Sequence, residues 1–255
     1  MEKFKRKVDS KKENLKTAGL ASTGVILSSG KPLSNKMVKG VAPLFKEKGS
    51  IDKAGTKVLN KIQEKAESNG IKVLKSGNSL GTSRGDSLVV VPRTAITLPH
   101  ELGHAYSKRG RGSSKLGNFL HTNEIAKTIS SKSAQNLSEK LAPVVGLSLG
   151  FKEGYEGDEG KSSKWGRRAA YGAILTPSTL RIAKEISANK TANKILKEVG
   201  AGKDIKSKVG RVAKAGLSTY LTSAGVVAGN ALVGHAIGKY VGKKIKDIEN
   251  DSITK

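Results

Sequence analysis

The sequence predicts a mainly α-helical protein with a small β element, an α+β chain. Three observations carry this expectation. Apolar residues Ala54, Val58, Leu59, Ile62 and Ala66 recur at spacings of three to four from Ser50 onward, the period of an amphipathic helix. Two short runs, Ile71–Lys75 and Ser87–Val91, are rich in β-branched residues and flanked by turn formers. Beyond Leu116 the chain reads as helical almost to its end, which calls for a helical bundle.

In chain order, residues 1–50 carry 12 Lys+Arg against 4 acids and several Gly, Ser and Pro. They read as a basic, partly flexible arm with one or two short helices. The uncharged stretch Thr17–Gly30 follows a Lys-rich start, but it is too weakly apolar for a secretion signal. The helix from Ser50 runs to about Glu67 and stops at Asn69-Gly70. The first strand follows, then a turn-rich connector over 77–85, then the second strand, ended by Pro92. The next helix holds Pro99 in its first turn, with Thr97 or Leu98 as its cap. Later helices are expected at 117–131, 135–151, 165–175, 178–199 and 204–245, with 153–160 as an acidic flexible loop. This divides the chain into an arm, 1–50, a principal domain, 51–245, and a tail, 246–255. No internal repeat of 20 to 50 residues is present.

Composition narrows the chemistry. The chain has 255 residues, enough to bury a sizeable core. It has no cysteine, so disulfides, thiolate zinc sites and thiol nucleophiles are excluded. Its 47 Lys+Arg and 21 Asp+Glu leave a net charge of +26. Such a field attracts nucleic acid, anionic membrane or acidic protein, and equally describes a solvated basic surface. No basic patch interleaved with aromatics supports a stacking platform for single strands. Ala215–Gly238 has no charged residue, is long enough to span a bilayer, and carries Gly225-x3-Gly229 and Gly234-x3-Gly238. It also carries Ser, Thr, Asn230 and His235, which suit a buried helix of a soluble bundle. Both a membrane-associated setting and a soluble intracellular or virion-associated one are compatible with this segment.

The residues that carry chemistry are His100-Glu101-Leu102-Gly103-His104. Two histidines four apart lie on one face of a helix, one turn from each other, and can grip one zinc ion. Glu101 then stands beside the metal without binding it, where a carboxylate serves as general base for an attacking water. With 4 His in the chain, this pattern would arise by chance in roughly three of a thousand such compositions. A catalytic zinc needs a third protein ligand. Glu185, Glu124 and His121 are the candidates, and spacing does not choose among them. An upstream strand beside the site offers an edge for an extended peptide substrate. Tyr106, His121, Tyr171 and His235 are candidate donors to an oxyanion.

Pro99–Ala105, followed by Glu185-x2-Ala188-Asn189-x2-Ala192, resembles the gluzincin-type zinc metallopeptidases. It is similar to the neutral zinc metallopeptidase family of bacterial membranes and, more distantly, to the prenyl-protease and heat-shock membrane peptidases. Strong identity is confined to these two windows, although the likeness extends over about residues 50–240. The resemblance implies a minimal gluzincin-like fold, one Zn2+ and a peptide or protein substrate. It implies metal ligands His100, His104 and Glu185, with Glu101 as catalytic base. The membrane peptidases have Asp where this chain has Asn189, which can hydrogen-bond but brings no charge. The competing expectation is a basic structural or nucleic-acid- or membrane-associated protein that keeps such a fold with little activity.

Overall fold

The computed structural model describes residues 51–76, 81–157 and 161–253, together with the single positions 10, 13, 39 and 41. The expected basic arm and residues 77–80 and 158–160 otherwise lie outside the described residues. The protein is mainly helical with one small three-stranded sheet. It forms two compact units, one comprising Pro32–Ser131 and Ser178–Thr222, the other including Lys132–Pro177 and Ser223–Lys255.

The first unit opens with α1, Lys53–Ser68, whose first turn is closed by Asp52 accepting from the Gly55 N–H at 2.6 Å. Its apolar stripe, Leu59, Ile62 and Ala66, is buried. Asn69 and Gly70 end it as expected, Gly70 taking φ +72°. The strands are β1, Lys72–Lys75, β2, Thr82–Arg84, and β3, Leu88–Val91. Their order is β1-β3-β2, with β1 parallel and β2 antiparallel to β3. Strand β2 falls in the segment expected to be a connector. Thr82-Ser83-Arg84 has no apolar alternation, and its strand state comes from pairing with Val90, Val89 and Leu88. Its presence also moves the sheet edge. The upstream strand expected to border the site, β3, is central, and β1 and β2 are the edges of the sheet, with β2 beside the cleft.

Helix α2, Leu98–Lys108, follows Thr97, whose side chain makes no capping hydrogen bond. Val89, Val91, Ile96, Leu98 and Leu102 are buried together with Leu59, Ile62 and Leu196. Each such side chain contributes roughly 1.5–3 kcal/mol of transfer free energy. The expected helix 117–131 is two pieces, α3, Lys115–Thr122, and α4, Glu124–Ile129. Asn123 breaks it, taking an extended conformation and capping α4 through its side chain.

The other unit contains α5, Lys132–Glu156, and parts of two long helices, α6, Lys161–Glu198, and α7, Lys203–Ile253. The expected helices 165–175 and 178–199 are one, because Pro177 lies inside α6 without ending it. Most of the expected tail, 246–253, is helical. The expected loop begins too early, since α5 runs through Glu156. Glu153, read as part of that loop, is instead ringed by the Arg167 guanidinium, the Lys239 ammonium and the His235 imidazole. Arg167 lies at 2.9 Å, His235 at 3.1 Å and Lys239 at 2.5 Å. The Lys239 hydrogen bond leads in holding its carboxyl below the usual range.

Two rows of glycines join α5 to α7 within this unit. A Cβ on Gly146, Gly150 or Gly154 would strike the carbonyls of Ala231, His235 or Lys239, and one on Gly234, Gly238 or Gly242 those of Pro143, Leu147 or Phe151. Such spacing lets two backbones touch. Of the two small-residue pairs noted in the uncharged segment, only the second is used, since Gly225 and Gly229 meet nothing. Among the described residues one helix, Lys203–Asp251, is long and apolar enough to cross a membrane by length and composition.

Candidate metal centre

The site lies in the first unit, where α2 meets the part of α6 after Pro177. Gly103 is the residue that allows this meeting. A Cβ there would run into the Ala188 backbone carbonyl, so any larger residue would push the helices apart. Close approach brings matching faces together, His100 with Asn189 and His104 with Glu185.

Three donor atoms form a small triangle. His100 Nε2 lies 3.2 Å from His104 Nε2 and 3.2 Å from Glu185 Oε2, and His104 Nε2 lies 3.4 Å from the same oxygen. Donors about 2.0–2.1 Å from a tetrahedral zinc ion are separated from one another by roughly 3.3–3.4 Å. The observed sides match that requirement without any rearrangement, and His100, His104 and Glu185 form a group suited to a metal ion. Glu124 is not in it. Its side chain is 83% exposed and pairs with Lys127 at 2.7 Å on the same helix.

The outer nitrogens of both imidazoles are also engaged. His100 Nδ1 is 2.7 Å from Asn189 Oδ1, so Nδ1–H donates to the amide oxygen and Nε2 faces the metal position. Asn189 thus orients the His100 imidazole through its amide oxygen. His104 Nδ1 is 3.3 Å from His121 Nε2. Burial, then the charges of His104, Lys184 and Lys108, push the His121 imidazole down to about 3. With zinc on His104 Nε2, the donor of this contact would be His104 Nδ1–H and the acceptor His121 Nε2. Expected as a possible ligand or oxyanion donor, His121 stands outside the donor triangle, behind His104 Nδ1. Replacing Asn189 with Ala is expected to weaken zinc binding about 10–100-fold. Competition against a zinc-sensitive dye measures it, and unchanged affinity would remove Asn189 from this role.

Protonation of the metal-free site follows from the same geometry. Burial disfavours charge on His100, but the hydrogen bond and charge of Glu185, with Glu101 and Asn189, outweigh it and push the imidazole up to about 9. Burial likewise opposes charge on Glu185, and the two imidazoles more than offset it, holding the carboxyl well below the usual carboxylate range. A raised imidazole favours the metal-free fold fully below its ordinary value of 6.5 and loses that contribution as pH rises through about 9. A zinc ion bound at His100 Nε2 would have to displace this proton. Apparent zinc affinity is therefore expected to rise about tenfold per pH unit between 6.5 and 9 and to flatten above. A pH series of zinc titrations tests this, and a flat profile would contradict it.

Glu101 is buried beside the donors, and burial leads in raising its carboxyl above the ordinary value. Its Oε1 is 2.8 Å from where a Cβ on Gly81 would sit, and Gly81 takes φ +109°, a position that only glycine fills without strain. His100, Glu101, His104 and Glu185 open on a cleft bordered by Gly81 and by Thr82 and Ser83 of β2. Tyr220 of α7 faces the same cleft, and Arg181 Nη2 donates to its Oη at 3.4 Å. Burial keeps the Tyr220 phenol above its usual value, so it remains a proton donor. Of the donors expected from sequence, Tyr106 packs against the apolar core, and Tyr171 bonds His235 at 2.7 Å within the other unit. Tyr220 and Arg181 were not among the expected site residues. Arg181 precedes Glu185 by one helical turn, a local signal that points to it, whereas nothing near Tyr220 in sequence does.

No family model, no curated protein and no solved structure matches this chain.

Proposed function

We propose that this chain is a zinc-dependent peptidase of the gluzincin type, with His100, His104 and Glu185 as metal ligands and Glu101 as general base. The observation that carries the reading is the donor triangle, whose sides match tetrahedral zinc. Zinc, when bound, would supply Lewis acidity to the scissile carbonyl and acidify the attacking water. Glu101 takes one proton from that water as its oxygen bonds to the carbonyl carbon. It returns the proton to the leaving nitrogen as the C–N bond breaks, so proton and electron pair both end on the amine. A raised carboxyl suits this exchange, since it holds a proton more readily than a solvated glutamate. The Tyr220 phenol, steadied by Arg181, donates to the oxygen on which negative charge develops. An extended peptide pairs with the free edge of β2, which keeps its carbonyl in register with the base.

The test is metal content and metal-dependent cleavage together. Purified protein is expected to bind one zinc per chain, to lose peptide cleavage on chelation, and to regain it when zinc returns. Tyr220→Phe is expected to lower kcat by about 10²–10³-fold with zinc retained. A chain that binds no zinc, or cleaves equally well after chelation, would sink the peptidase reading.

A further inference from the structure

Positive charge gathers where the metal-bearing helices meet. On α2 the ligand face runs His100, His104, Lys108, and on α6 it runs Arg181, Glu185, Asn189, each in steps of four. His100 faces Asn189, and His104 faces Glu185. Lys108, Arg181 and Lys184 all line the cleft, and Lys127 of α4 reaches it as well.

The acids in this cleft are committed elsewhere. Glu185 belongs to the donor triangle, Glu101 serves as base, and Asp86 pairs with Arg109 at 3.7 Å. Lys127 is paired with Glu124, and Lys108 Nζ is held by the Ser83 carbonyl and hydroxyl, both at 2.8 Å. Two cations of the cleft, Arg181 and Lys184, form no ion pair with an acid among the described residues. Arg181 stacks on Tyr220 with its guanidinium 4.8 Å from the ring centre, and its Nε is buried with no hydrogen-bond partner among the described residues. Lys184 is half-buried and lines the same cleft as Arg181, Lys108 and Lys127, with Glu185 next to it on α6. Partly desolvated cations without counter-charge gain most from an anionic ligand, because burial strengthens the pair they can form.

We propose that the substrate carries a carboxylate close to the scissile bond, an acidic side chain or the chain's own C-terminus, and that Arg181 and Lys184 hold it. This rests on the peptidase reading and names its substrate class. A guanidinium offers two parallel donors to a carboxylate, while the lysine adds a point charge.

Zinc-loaded Glu101→Gln protein binds peptide without consuming it, so fluorescence anisotropy can report recognition alone. Labelled peptides are compared in pairs, Glu against Gln at each position, and free carboxylate against amide at the C-terminus. The pair that discriminates identifies the source of the carboxylate. The acidic member is expected to bind at least about tenfold more tightly. Arg181→Met and Lys184→Met, made separately, are each expected to cut that preference severalfold, and the exposed Lys190→Met to leave it. Helical circular dichroism and zinc content verify that each variant is folded. Equal binding within every pair, or a preference that survives in both cleft variants, would overturn the proposal. So would a single-stranded oligonucleotide that displaces the peptide while Glu and Gln peptides bind alike. Failure of the peptidase reading is read separately, from zinc content and cleavage by the unmodified chain.

Discussion

Glu101→Gln is expected to lower peptide cleavage by about 10²–10⁴-fold while one zinc per chain is retained. Glutamine has the same shape and keeps a carbonyl oxygen, but it cannot accept a proton from the attacking water. Glu101 is not part of the donor triangle, so metal affinity has no reason to fall. Stability has a defined sign. Burial leads in raising this carboxyl, which means the ionised form is disfavoured in the fold. A carboxylate with a raised folded pKa costs stability above that value, and a neutral amide does not bear the cost. The thermal midpoint is therefore expected to hold or rise at neutral pH. Kinetics, zinc analysis and a melt on one preparation measure all three quantities. Cleavage within tenfold of the unmodified chain would take the base role from Glu101.

Glu185→Ala is expected to weaken zinc binding by more than about 100-fold, beyond the loss that outer partners of a metal site produce. It removes one of three donors and leaves His100 Nε2 and His104 Nε2 facing each other at 3.2 Å with no carboxylate to complete the triangle. Cleavage should disappear with the metal. Glu124→Ala serves as the contrast. That side chain is 83% exposed and holds only a surface pair with Lys127, which is worth roughly 0–1 kcal/mol. It is expected to keep zinc and activity. Zinc retained in Glu185→Ala, or lost in Glu124→Ala, would reverse the assignment of the third ligand.

These two experiments also separate what local reading reaches from what it cannot. The spacing of His100 and His104 is a property of one helix, so their shared face is readable from sequence. Whether Glu185, Glu124 or His121 completes the set is decided by packing between His104 and a residue as far as 81 positions along the chain. The resemblance pointed to Glu185, and the geometry gathers the same three residues. His121 shows the difference most clearly. Its residue type suits a ligand, but only packing sets it behind His104 rather than beside it. Similarly, β2 is invisible to a search for alternating apolar residues, because β3 induces it. Pro177 reads as a break, yet α6 continues through it.

Sequence alone was sufficient for the mainly helical class, the C-terminal stop of α1, its apolar face and the His-Glu-x-x-His register, since each depends on neighbours within a turn or two. Tertiary structure decided the third donor atom, the outer hydrogen bonds, the edge strand and the cations of the cleft. For the third donor atom the physical cause is Gly103 against the Ala188 backbone. Contact at that point brings together two helices far apart in the chain, and with them the His100–Asn189 and His104–Glu185 pairs.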